Sequence, residues 1–181
     1  MICLVACSLA SVGGGWWRQY RALPHGQSAR VAMILSALIA AGVSAWGAFA
    51  LMAQVRGPGM QLMLGLALIL AGAGLLWQGR AKLSSASDSA PHGFIGGLIL
   101  LCAAQLSEGA PFIIFSAALA TREPWFAAAG GAAGVVVAGW LAASLPDDPR
   151  LLRLLRIART IAGLVLLLTG VVVALLARGL L

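Results

Sequence analysis

Charge is what this chain has least of. Charged residues make up only 9% of its 181 positions, against about 25% in an ordinary soluble domain, too few to cover a water-exposed globule. Acidic residues are scarcer still, five against twelve Lys and Arg. The chain has only two histidines, His25 and His92, and both flank expected loops. No Ser/His/Asp grouping or metal-type cluster is visible, so nothing supports an enzyme. Cys3, Cys7 and Cys102 lie inside apolar stretches without metal-type spacing, so they set no redox compartment and read as small apolar packing residues. Asp147-Asp148, amid arginines, reads as a solvated loop rather than a carboxylate pair. The glycine run 13–15 lacks the following Lys-Ser/Thr and the preceding strand of a phosphate loop.

What the chain does have is apolar length. Hydrophobic residues form 61% of it and the mean hydropathy is +0.99, so lipid is the solvent for most of the surface. The size allows one compact bundle and no separate soluble domain. The net charge of +7 does not imply a nucleic-acid partner, because the basic residues fall between apolar runs, as in cytoplasmic loops.

A spanning helix needs about 20 apolar residues. Reading between charges predicts six: 1–17, 31–55, 57–79, 93–121, 124–145 and about 157–177. The first is cut short by Gly13–Gly15 and Arg18, and the last carries Arg159 near its start, placed to snorkel. Assigned to alternate sides, Arg18, Arg21, Arg30, Arg80, Lys82, Arg150, Arg153, Arg156 and Arg159 face Arg56, Arg122 and Arg178, nine against three. The basic side is expected to be cytoplasmic, with both termini outside, in the plasma (inner) membrane if the source is bacterial. Trp16, Trp17, Trp77 and Trp125 fall near expected helix ends, as interfacial aromatics do. Leu4-Val5-Ala6-Cys7 fits a loose lipoprotein box, but no positive charge precedes it and its apolar core is too short for a signal. A start site set too late, with a longer first helix, fits at least as well.

The two halves are alike. Ala45-Trp46 matches Gly139-Trp140 at an offset of 94 residues, and the run Gly65 to Gly72 matches Gly163 to Gly170 at 98, an offset that Arg80 and Arg178 share. An insertion around Pro146-Asp147-Asp148-Pro149 accounts for the difference. Three spans per copy is an odd number, so the second copy enters the membrane upside down. The expected fold is therefore an all-α integral membrane protein of six transmembrane helices in two inverted three-helix repeats, 1–79 and 93–181, joined by a cytoplasmic linker at 80–92. Trp46 and Trp140 are expected to pack locally. Gly130 and Gly134 form a GxxxG, read as close helix packing.

Glu108 is the one acidic residue in mid-span; Asp88, Glu123, Asp147 and Asp148 sit in loops or at helix ends. A charge at bilayer depth costs about 2.5–3.5 kcal/mol on insertion scales and is a functional candidate by default. Burial disfavours its charged form, which makes proton exchange a natural role. Gln105, Ser107 and Glu108 supply oxygens within one turn, and Gly109 and Pro111 interrupt the helix there. Carboxylate, amide, hydroxyl and carbonyl oxygens suit a hard cation. Ninety-four residues earlier lies Ser11-Val12-Gly13-Gly14-Gly15, a second irregular patch.

These features resemble the Gdt-type cation/proton exchangers, a family with one E-x-G-D-[KR]-[ST] motif in the first helix of each of two three-helix repeats. The corresponding segments are Gln105-Leu106-Ser107-Glu108-Gly109-Ala110 and Ser11-Val12-Gly13-Gly14-Gly15-Trp16, and Ile113 to Arg122 is similar to the run that follows the second motif. Of the family's four motif carboxylates Glu108 alone remains, and Gly13 is the one unchanged motif residue. The resemblance implies a manganese or calcium ion exchanged for protons, with Glu108, Gln105, Ser107 and Ser11 as cation ligands and no resident cofactor. A monovalent ion or small solute fits the single charge better. The alternative is a transport-inactive paralogue that regulates or braces another membrane protein. The partners expected are the bilayer, a cation substrate, and a second copy or a motif-intact paralogue.

Overall fold

The computed structural model describes residues 1–12, 15–22, 27–55, 57–77, 94–144 and 149–178. Every element among them is a helix: α1 (Ile2–Ser11), α2 (Gly15–Ala22), α3 (Gln27–Gln54), α4 (Pro58–Trp77), α5 (Phe94–Leu106), α6 (Ala110–Thr121), α7 (Pro124–Ser144) and α8 (Pro149–Ala177). The expected linker 80–92, Gly13-Gly14, both histidines and Asp147-Asp148 lie outside the described residues.

Proline and positive-φ positions set the helix boundaries. Pro58, Pro124 and Pro149 each open a helix and Pro111 sits in the first turn of α6, where the missing N–H is no loss. Gly57 turns the chain between α3 and α4 at φ +66°, a conformation glycine adopts without strain. Arg122 ends α6 in the left-handed region at φ +58°.

Four helices are long and apolar enough to cross a membrane, five if α5 and α6, bent by 58° at their junction, count as one span. The segment expected to form the first span is not one continuous helix. Val12 is extended (ψ 128°) and stops α1 after ten residues; α2 has eight. At 1.5 Å per residue these helices reach about 15 and 12 Å, short of the roughly 30 Å hydrocarbon core.

The small-residue faces of α3 and α7 form the centre. α3 packs on α5, α6 and α7, while α7 also holds α1 and α6; α2 lies against α5 and α7. Met33, Ala37, Ala40, Ala41, Ser44, Ala45 and Ala48 of α3 are buried. Ninety-four residues on, so are Ala127, Gly131, Gly134, Val135, Ala138, Gly139 and Ala142 of α7. The same offset carries buried Cys7, Ser11, Trp16, Trp17 and Tyr20 onto buried Leu101, Gln105, Ala110, Pro111 and Ile114. Gly134 meets the Leu4 carbonyl and Cys7, so the GxxxG of α7 is where α1 lies down.

α4 and α8 make the most extensive helix pair, running antiparallel with Gly65 beside Gly170 and Gly72 beside Gly163. A Cβ built on Gly72 would stand 2.6 Å from the Gly163 carbonyl oxygen, and one on Gly65 2.8 Å from that of Gly170. Without those methyl groups the two backbones touch, and dispersion along that contact holds apolar helices together in lipid. The outer faces carry Leu66, Leu70, Leu164, Val165, Leu168 and Leu176, all exposed. A water-soluble fold would hide such surface; a bilayer accepts it.

Several aromatic and basic side chains depart from expectation. Trp16 and Trp17 are buried rather than interfacial, because α2 packs against α5 and α7. Trp16 stacks on Tyr20 with ring centroids 5.8 Å apart. Trp46 and Trp140 do not pack inward; they are 67% and 73% exposed, since their neighbours Ala45 and Gly139 take the core-facing positions. Trp77 and Trp125 are exposed at helix ends, as expected. Arg159 is buried rather than snorkelling, because α8 starts at Pro149 and places it ten residues inside the helix.

Candidate functional site

Two interrupted helices meet in the interior. α1 stops at Ser11 and α2 starts at Gly15; α5 stops at Leu106 and α6 starts at Ala110. Val12-Gly13-Gly14 stands between the first pair in sequence and Ser107-Glu108-Gly109 between the second, where Pro111 bars an uninterrupted helix. The backbone N–H of Trp16, in the first turn of α2, donates to Oε1 of Glu108 at 2.8 Å. That bond crosses 92 residues of sequence and ties one junction to the other.

Glu108 is 1% exposed, and its own N–H donates to the Gln105 carbonyl at 3.1 Å, closing a tight turn before α6. Gly109 then passes directly over α4, where a Cβ would stand 2.8 Å from the Ala71 carbonyl oxygen. Glycine is required there by the approach of the backbone itself. Gly74 of α4 faces the same residue, and a Cβ on it would come 3.4 Å from the Gly109 Cα.

Of the four candidate ligands, three are interior. Ser11 and Gln105 are 1% and 2% exposed, like Glu108. Neither Ser11 Oγ nor Gln105 Oε1 has a hydrogen-bond partner among the described residues. Ser107 does not join them: it is exposed and its hydroxyl donates to the Ala104 carbonyl at 2.7 Å. The turn after α5 rotates residue 107 outward as it brings 108 inward, which spacing along an ideal helix does not reveal. Among the described residues no three His, Cys, Asp or Glu side chains gather as a metal site.

Trp16 is the participant that sequence reasoning missed. Its position in the sequence predicts an interfacial ring, yet its main chain supplies the donor. The available signal was its place just after a glycine run opposite, by offset, the Glu108 segment. Chemically, a main-chain N–H at a helix N-terminus is a donor suited to a carboxylate oxygen.

The chain matches no protein-family model, and neither a curated protein nor a solved structure is detectably similar to it.

Proposed function

We propose that this protein is a membrane transporter built as two inverted three-helix units, in which Glu108 passes between a proton and a cation. In this reading α1–α2 and α5–α6 are the broken first members of the two units, which brings the number of membrane segments to six. The recurrence of burial at one offset supports it. So does the α4–α8 contact: moving Gly65 onward by 98 residues gives Gly163, and moving Gly170 back by 98 gives Gly72, so one glycine pair becomes the other. A contact between inverted copies across a two-fold axis has that property.

The observation that carries the reading is the Trp16–Glu108 hydrogen bond. It puts the only mid-span carboxylate where two broken helices meet, the place where inverted-repeat transporters bind their substrates. Resemblance to the Gdt-type exchangers makes manganese or calcium the first ions to try. One carboxylate balances one positive charge, which favours a monovalent ion over either. The basic-residue asymmetry supports an orientation with both termini outside the cytoplasm, in the plasma (inner) membrane if the source is bacterial.

Proton flux in proteoliposomes challenged with manganese, calcium and sodium in turn tests the proposal. Cation-dependent proton movement that disappears in Glu108→Gln is the expected result. Silence from folded wild type with every ion refutes transport.

A second reading has its own support. The Trp16 N–H already engages Glu108, as in a structural clasp, and the first motif copy contains no carboxylate. A transport-inactive paralogue that braces another membrane protein fits both facts. Silent flux together with co-purification of a motif-intact exchanger would favour it.

A further inference from the structure

The face of α1 that packs inward carries Cys3, Cys7 and Ser11, spaced four residues apart and so stacked one turn above another. Cys3 is half-buried near the N-terminal end, Cys7 is fully buried, and Ser11 stands at the junction with α2. The two sulfurs are 3.9 Å apart and both thiols are free. Cys3 Sγ lies 3.4 Å from the Ala127 carbonyl oxygen, and Cys7 Sγ 4.0 Å from that of Ala110, two residues beyond Glu108. A line of sulfur, sulfur and hydroxyl oxygen therefore runs from a partly open end of α1 to the candidate site.

Packing alone does not call for this pair. The positions 94 residues on are Gly97 and Leu101, both buried on α5, and neither has sulfur. Gly130 and Gly134 of α7 seat the turn: a Cβ on the first would stand 3.6 Å from Cys3 Cβ, and one on the second 3.1 Å from Cys7 Cβ.

We propose that Cys3 and Cys7 form a two-thiol site for a soft monovalent cation of the Cu(I) class. Thiolates select soft metals over the hard ions that carboxylates and carbonyls take. Among the described residues no third His, Cys, Asp or Glu joins the pair, which suits an ion content with two ligands. Two bonds of the zinc–thiolate length, about 2.3 Å, set end to end span about 4.6 Å, so for an ion of similar bond length the sulfurs part by about 0.7 Å from their 3.9 Å separation. A small rotation of the half-buried Cys3 side chain provides that. Each thiol that becomes a thiolate releases its proton to solvent on binding; no electron transfer is involved. Resting on the transporter reading, the pair also names its substrate class: a soft monovalent cation received by sulfur.

Silver(I), which shares this chemistry without the redox lability of copper, is the probe. Purified protein carrying Cys102→Ser is titrated in chloride-free buffer, with maleimide alkylation of the remaining thiols as the readout. One silver per chain protecting both Cys3 and Cys7 is expected, with at least a tenfold loss of affinity in Cys3→Ser and in Cys7→Ser. Ser107→Ala, an exposed position whose hydroxyl donates to the Ala104 carbonyl, should bind silver as its parent does. Two silvers per chain, protection of one thiol alone, or unchanged affinity in Cys3→Ser overturns the site; Cys3, being half-buried, can be replaced without emptying the core. The two proposals fail separately. Silver binding without any cation-coupled proton flux keeps the thiol site and removes transport. Manganese- or sodium-coupled flux without silver binding does the reverse.

Discussion

Replacing Gly72 by alanine should separate α4 from α8. The new methyl group would lie 2.6 Å from the Gly163 carbonyl oxygen and 2.7 Å from the Leu167 nitrogen, where ordinary contact begins at 3.4 Å. Both obstacles are backbone atoms, so no side chain can swing aside and the helices must move apart by about 0.8 Å, the difference between 3.4 and 2.6 Å. A gap of that size forfeits about a quarter to a half of each dispersion contact along the seam. Overpacking of this kind costs about 1–3 kcal/mol. The control is Gly42→Ala in α3, where nothing lies within 4 Å of the added atom. There, alanine's better helix propensity should stabilise by up to about 1 kcal/mol. Denaturant unfolding of both variants in one detergent, followed by helix signal, gives the comparison. Gly72→Ala should fall below wild type and Gly42→Ala should match or exceed it. Equal stability of the two variants would show that α4 and α8 do not touch through backbone at Gly72.

Two further substitutions test the candidate site. Glu108→Gln keeps an oxygen for the Trp16 N–H and should unfold close to wild type, whereas Glu108→Ala strands that buried donor at about 1–3 kcal/mol; equal unfolding midpoints for the two would remove the Trp16 bond from the account. Ser107→Ala should change neither stability, beyond about 0.5 kcal/mol, nor any Glu108-dependent flux, because its hydroxyl turns back onto Ala104; loss of flux in a folded Ser107→Ala protein would return this residue to the site.

Much of the architecture was legible because hydropathy and helix punctuation are local. The apolar runs from 31, 57 and 124 became α3, α4 and α7 within a few residues, and the last run became the membrane part of α8. The interruption around Glu108 followed from Gly109 and Pro111, which act on their own turn of backbone. Burial at matched positions extends the 94-residue spacing first seen in two short motifs. The first span was less legible, because its composition averages over the extended Val12 and conceals the split into α1 and α2.

By itself the sequence determined a helical, lipid-suited chain with one mid-span carboxylate beside a helix break, since these depend on residue type and immediate neighbours. Only the tertiary structure decided which side chains share the interior. It turned Ser107 outward, buried Trp16 and Trp17, faced Trp46 and Trp140 away from the core and ran α4 against α8. It also brought the Trp16 N–H to Glu108 and pressed Cys3 and Cys7 against the glycines of α7. Such choices depend on how closely two backbones approach and how far a broken helix rotates, and no local pattern encodes either one.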